Sequence, residues 1–277
     1  PVILLDLGEA RLRQHGTYRS MLERKNRCIR VQYANQFHLD ILPACPDPGS
    51  GGTCVVVPDR EVRDWRPSNP KGYAEWFDQR AQAAIFELAK KVEPLPDWEP
   101  NHARPPLNRA VQLLKRWRDI RFARMPDLAP ISIVLTTLAA QHYGGEEFVS
   151  QALEGIMDRI VATLPAFRRL VILNPTNPQE DLSERWDGKP EAYQAFVSGM
   201  RELQATWKQF NQQRGMANIQ AVLQQLFGEE LAKAVVAEQT KSVDSLRPQQ
   251  SLGIRRGSGT LAGISAGAVP IPRNTFY

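Results

Sequence analysis

The spacing of apolar residues changes once along the chain, from short alternating stretches to long helical periods. Residues 9–25 carry Leu12, His15, Tyr18 and Leu22 three or four positions apart with charges between them, which predicts a helix. From residue 27 the sequence runs RCIRVQYANQFHLDILPA. Ile29, Val31 and Tyr33 alternate with Arg30 and Gln32, the period-two pattern of a half-buried strand. Phe37, Leu39 and Ile41 resume that alternation after Ala34-Asn35-Gln36, and Pro43 ends it, so two adjoining strands joined by a tight turn are expected. TCVVVP, residues 53–58, predicts a further short strand after the turn-rich PDPGSGG.

Beyond Pro70 the period lengthens. Tyr73, Phe77, Ala84, Ile85 and Leu88 mark one face of a helix, and a Pro-rich connector, EPLPDWEPNHARPP, separates it from the next. In that second helix Leu107, Val111, Leu114 and Trp117 form the expected buried stripe. ISIVLTTLAAQHY predicts a helix that starts just past Pro130 and ends at Gly144-Gly145. Residues 146–163 and 189–212 give two more amphipathic helices, the second with Tyr193, Phe196, Met200, Leu203, Trp207 and Phe210 on one face. NPTNPQEDLSERW, residues 174–186, predicts a bend between helices followed by a helix start, and residues 217–239 a last helical pattern interrupted at Gly228. The fold class expected from this order is α+β, a small sheet passing into a helical bundle. The boundaries expected are 1–66 for the β-containing part, 67–240 for the helical part and 241–277 for a flexible tail rich in Gly, Ser, Ala and Pro.

Composition narrows the class without choosing a function. In 277 residues, 42% are hydrophobic and 23% charged, as in ordinary globular proteins, and no apolar run approaches the roughly 20 residues a membrane span needs. No membrane partner is therefore expected. Cys28, Cys45 and Cys54 lack paired metal spacing, which favours reduced thiols and a cytoplasmic setting. A net charge of +5 permits an anionic ligand and leaves nucleic acid binding open.

Three residues are candidates for chemistry. Asp40 interrupts an apolar strand, and alternation puts it on one face with His38 and Leu42. A carboxylate there needs a partner, since burying an unpaired charge costs several kcal/mol. An arginine partner or a turn cap would satisfy it, and so would a divalent metal, which takes oxygen ligands and holds phosphates. Lys115 lies in KRWRDIRFAR with Arg116, Arg118, Arg121 and Arg124, either a solvated basic face or a cradle for phosphate. Ser132 opens a helix after Pro130, either as an N-cap or as part of an anion site at a helix N-terminus. His15, His38, His102 and His142 are scattered without metal spacing, and no creditable GxGxxG, Walker, HExxH or GxSxG motif is present.

RCIRVQYANQFHLDILPA resembles the segment carrying the third catalytic aspartate of the bacterial CD-NTases, relatives of cyclic GMP-AMP synthase that make cyclic oligonucleotide signals in anti-phage defence. VPDRE, the SNPKGYAEWF that follows, LLKRW, SIVLTTLAA and NPTNPQEDLSERW are similar to successive pieces of the same family, so the resemblance covers roughly residues 9–240. It implies a partial polymerase-β-like nucleotidyltransferase sheet followed by an α-helical bundle. It implies that Asp40 is the catalytic and metal-binding carboxylate, with Mg²⁺ or Mn²⁺ as cofactor, and that Lys115 and Ser132 contact the triphosphate of ATP or another NTP. The general arrangement is two metal ions that align the attacking hydroxyl and stabilise the leaving pyrophosphate. Such enzymes carry a Gly-Ser loop and two aspartates one residue apart ahead of this region. Here only Asp6 precedes Asp40, with no aspartate at i+2. The chain also opens at Pro1. The expectation is the C-terminal three-quarters of such an enzyme, inactive by itself. The ending IPRNTFY resembles the aromatic-Gly tail that an E1/E2-like partner conjugates, with the last Gly absent. Other classes open to the residues are a polymerase-β-like linear oligoadenylate or RNA transferase and a non-enzymatic nucleic-acid-binding module.

Overall fold

The computed structural model describes residues 1–33, 37–89, 104–213, 215–246, 252–255, 261–263 and 268–270. The chain is α+β, as expected, and its contacts gather into two units: Pro1–Arg80 with Val171–Glu184, and Ala81–Leu170 with Arg185–Tyr277.

In the first unit, helix α1 runs Val2–Gln14, earlier than the helix expected at 9–25. It buries Leu5 and Glu9, and turns follow to strand β1, Leu22–Arg24. The helical spacing of Leu22 is overridden by the sheet, where Leu22 lies opposite Val31. The two expected strands are present as β2, Ile29–Tyr33, and β3, Phe37–Ile41, giving an antiparallel sheet in the order β1-β2-β3. β2 is half-buried, with Ile29 and Val31 inward, but Phe37–Asp40 of β3 are exposed on both faces. β3 is the edge of that sheet, so the expectation of a half-buried second strand is corrected. Buried Glu9 fixes α1 to the sheet, taking Arg13 at 2.8 Å and Arg24 at 2.7 Å. Asp6 pairs with Arg60 at 2.6 Å, a structural role.

A second antiparallel sheet joins β4, Cys45–Pro46, β5, Val55–Asp59, and β6, Asp64–Ser68. Helix α2, Pro70–Ala89, follows, and its start explains the SNPKGY segment. The Asn69 side chain accepts the Gly72 N–H at 3.1 Å, as an N-cap does, with Pro70 at the first helical position, where its missing N–H costs nothing. Asn69 also accepts from Thr53 and donates to the Thr176 carbonyl, each within 3.0 Å. A Cβ on Gly72 would stand 2.5 Å from Asn69 Nδ2, so only glycine lets the cap close. The expected bend at 174–186 is instead a hairpin, β7 Leu173–Asn174 with β8 Asn177–Asp181, then a 3-10 turn at Glu184–Trp186. Asn174 Oδ1 accepts the Thr176 N–H at 2.9 Å, turning the chain back on itself.

The second unit is helical. α3, Pro106–Arg121, buries Leu107, Val111, Leu114 and Trp117 as the stripe requires. α4, Ser132–His142, is buried from Val134 to Ala140, and α5, Val149–Thr163, buries Ile156, Met157 and Ile160. α6, Pro190–Phe210, packs Phe196, Met200, Leu203 and Trp207 into the core. Its Gly199 faces the Trp117 ring, where a Cβ would lie 3.1 Å away. α7, Met216–Phe227, and α8, Glu229–Leu246, part at Gly228, whose φ of 91° is a left-handed conformation that glycine adopts without strain. Beyond α8, where a flexible tail is expected, three short strands form an antiparallel sheet: β9 Leu252–Arg255, β10 Leu261–Gly263 and β11 Ala268–Pro270. The tail ending IPRNTFY and connector residues 93–103, His102 included, lie outside the described residues. Among the described residues no helix is long and apolar enough to cross a membrane.

Candidate active site

The hairpin β2–β3 sets Asp40 opposite Arg30. The guanidinium grips both carboxylate oxygens, Nε to Oδ1 at 2.7 Å and Nη2 to Oδ2 at 2.8 Å. This is the arginine partner that the sequence left open, in a fork geometry that is the stronger form of such a pair. The Arg30 guanidinium holds the Asp40 carboxyl below the usual carboxylate range, and it stays ionised at neutral pH. The Asp40 side chain keeps 38% of its surface exposed, so both its oxygens can be reached from solvent if Arg30 moves. Cys28, two residues before Arg30, is not a ready nucleophile. Burial first, and then the Asp40 charge, push its thiol up.

In the helical unit the basic run on α3 is divided among different partners. Arg116 donates to the Phe227 carbonyl at 2.8 Å and caps α7, and Arg121 pairs with Glu202 at 3.1 Å. Arg118 pairs with Asp119 at 2.5 Å and donates from Nη1 to the Ser132 hydroxyl. Lys115, one turn before Arg118, makes no ion pair among the described residues. Burial, and after it the Arg118 charge, push its ammonium below the ordinary lysine range. Ser132 is not the N-cap. Ile131 holds that position, and Ser132 is the first residue of the helix. Its hydroxyl turns to Arg118, and its carbonyl accepts from Thr136 at 2.9 Å.

The structure bonds Ser132 to Arg118 and places Lys115 one turn before Arg118 on α3, while Asp40 belongs to the other unit. Sequence reasoning missed Arg30 as a ligand-side residue and Arg118 as the link. Both were traceable: Arg30 lies opposite Asp40 in the β2–β3 register, and Arg118 is one turn from Lys115. Chemically, the helical corner offers an ammonium, a guanidinium and a hydroxyl to an anion, at the positive end of a helix. The strand offers one ionised carboxylate. Among the described residues no group of three or more His, Cys, Asp or Glu side chains could hold a metal ion. Asp40 fits as one ligand of a divalent ion but does not make a site by itself.

With that geometry in hand, the comparisons with known proteins define first a class. The fold matches the solved structure of the Bradyrhizobium diazoefficiens CD-NTase CdnG in complex with GTP, TM-score 0.68 at 23% identity, over 87% of this chain and 75% of that one. It also matches the 3′-deoxy GTP-bound form of Escherichia coli DncV, TM-score 0.57 at 18% identity, over 77% of this chain and 53% of that one. The Second Messenger Oligonucleotide or Dinucleotide Synthetase domain matches residues 2–81, nearly the whole continuous part of the first unit. A c-di-GMP synthase of Roseivirga ehrenbergii is 34% identical over 276 aligned residues, covering 96% of this chain and 72% of that protein. The cyclic dinucleotide synthase CdnG of B. diazoefficiens is 29% identical over 67% of this chain and 50% of its own length.

The chain belongs to the bacterial CD-NTases, nucleotidyltransferases that make cyclic oligonucleotides. Enzymes of this family generally use divalent metal ions.

Proposed function

We propose that this protein serves in the synthesis of a cyclic oligonucleotide second messenger from ATP and other NTPs, in the cytoplasm, as a signal in anti-phage defence. The observation that carries the reading is the corner at Lys115, Arg118 and Ser132. Two like charges one helical turn apart repel each other, and Lys115 has lost part of its hydration, offset only in part by Asp119, which is already paired with Arg118. A phosphate placed there would add the negative charge that Asp119 only partly supplies and could accept from all three side chains. Lys115 and Ser132 are accordingly the residues that hold the donor triphosphate, with Arg118 orienting the Ser132 hydroxyl.

Asp40 is the catalytic carboxylate, a ligand of Mg²⁺ or Mn²⁺, and the metal's role is to neutralise phosphate charge and activate the attacking hydroxyl. Arg30 keeps Asp40 ionised and aimed until a cation competes for its oxygens. These 277 residues hold Asp40 without an Asp-x-Asp pair. Alone they bind nucleotide and do not join it. Incubated with ATP, GTP and Mg²⁺, the chain is expected to give no labelled oligonucleotide, and product formation would refute that statement. With GTP bound, Mn²⁺ should broaden the NMR signals of β3, and Asp40→Asn should abolish the broadening. Unchanged broadening would remove Asp40 from the metal. An E1/E2-like conjugating partner at IPRNTFY is proposed on the aromatic ending alone, and mass analysis after co-expression with such a pair tests it.

A further inference from the structure

The helical unit holds a second concave site, built from residues that the nucleotidyltransferase reading does not use. Residues 165–169, the Trp186-Asp187 turn and the first three turns of α6 line a cavity of about 520 Å³. Small-molecule sites span roughly 300–1,000 Å³. Its lining carries three arginines, Arg168, Arg169 and Arg201, against one acid, Asp187. Arg169 is already committed to that acid by a two-point pair, Nε to Oδ1 at 2.5 Å and Nη2 to Oδ2 at 2.7 Å. Arg168 and Arg201 are exposed and have no carboxylate partner among the described residues. The cavity is thus positive, and two of its three guanidinium groups are available.

The rest of the lining is aromatic. The Trp186 and Tyr193 rings stand with centroids 5.0 Å apart in the wall. Phe167, also in the lining, is 102% exposed, a large ring with both faces open to water. Gln194 and Ser198 add neutral hydrogen-bonding groups able to meet the polar edge of a heterocycle. The cavity is also distinct from the Lys115 corner. On α6 it is Gly199 that faces Trp117 of α3, and Gln194, Val197 and Arg201 lie roughly 140–160° around the helix from it at 100° per residue.

We propose that this cavity binds a planar aromatic anion of mononucleotide size, its ring stacked on Phe167 beside Tyr193 and its phosphate held by Arg168 and Arg201. Arginine forks recognise phosphate in two-point contacts, and aromatic faces stack on any base. A compact concave site with an exposed stacking ring and two cations free of carboxylate partners among the described residues matches the size and the two chemistries of a nucleoside monophosphate, a planar base and a phosphate.

Guanosine monophosphate is the probe, with guanosine and inorganic phosphate as its two halves, titrated by calorimetry against the full chain. GMP is expected to bind about tenfold or more tightly than either half alone. Arg168→Ala combined with Arg201→Ala should weaken GMP by about tenfold or more, since both side chains are exposed and the fold should melt unchanged. Phe167→Ala should weaken GMP and guanosine alike, and in a Lys115→Ala chain, where the triphosphate corner is lost, GMP binding that depends on Arg168 and Arg201 should persist. The inference is overturned if no GMP binds at about 10 mM, a concentration above any specific site of this size. It is equally overturned if phosphate binds as well as GMP, or if Lys115→Ala abolishes binding that the double arginine variant retains.

Discussion

Asp40 and Lys115 lie in different units of the molecule and meet opposite electrostatic fates. Asp40 stands on an exposed edge strand with both oxygens taken by Arg30. Lys115 is half-buried on α3, beside the cation Arg118 and without a direct ion pair among the described residues, its counter-charge being Asp119, which Arg118 already holds. The exposed charge is fully paired and the sheltered one is only partly offset, by Asp119. In an isolated fold one expects the reverse, because burial raises the cost of leaving a charge unpaired. The difference teaches where ligand binding is favoured. An anion at Lys115 relieves a cost that the fold already carries, whereas a cation at Asp40 has to displace an existing partner.

That contrast can be broken most heavily from beneath. Leu114→Ala removes a fully buried side chain from the α3 stripe next to Lys115 and should lower stability by about 2–5 kcal/mol. Denaturant unfolding measures the loss, and triphosphate affinity should fall with it. The Arg30–Asp40 pair is not on that stripe, and its NMR signals should stay in place under native conditions.

pH separates the two charges next. Lys115 has a folded pKa below its unfolded value, so between those values the unfolded chain binds more protons and stability rises with pH. Binding of a triphosphate should do the opposite, weakening as pH rises through the lowered Lys115 value, because the ammonium is then lost. Asp40 has a folded pKa below its unfolded value. Its contribution is present above the unfolded value and lost as pH falls through the folded one. Being partly exposed, it amounts to at most about 1 kcal/mol. Thermal melts across both windows, with and without GTP, check the signs.

The smallest effect is expected at Arg30 itself. Arg30→Ala should cost less than about 1 kcal/mol in stability, raise the Asp40 pKa toward the ordinary range and strengthen Mn²⁺ binding a few-fold. Carboxyl NMR titration and relaxation by Mn²⁺ read the two changes. A weaker Mn²⁺ response would make Arg30 an aid to the metal rather than its competitor.

How much of this was legible in the sequence depends on whether the signal was local. The β2–β3 hairpin was plain because alternation and turn agree, and the α3 stripe because four large apolar residues repeat at helical spacing. The Asn174–Asp181 hairpin was hidden. Two Asn-Pro pairs signal a turn, but a turn residue does not reveal that its flanks pair with each other and that β8 packs against β6. The helix expected at 9–25 failed for a related reason. Leu22 fits a helical period, yet its pairing with Val31 across the sheet decides its state. In the candidate site, the residue types at 40, 115 and 132 were visible, but their partners were not. Ser132 carries a cap's chemistry, and only the structure gives its hydroxyl to Arg118 rather than to its own helix.

The account rests most directly on Lys115 as the seat of a triphosphate, and calorimetric titration of GTP into the chain and its Lys115→Ala variant tests it. Removing one charged donor should weaken binding by roughly tenfold to a hundredfold, with thermal stability unchanged or slightly raised once the partly buried charge is gone. Equal affinity in the two proteins, at matched salt and with both folded, would contradict it.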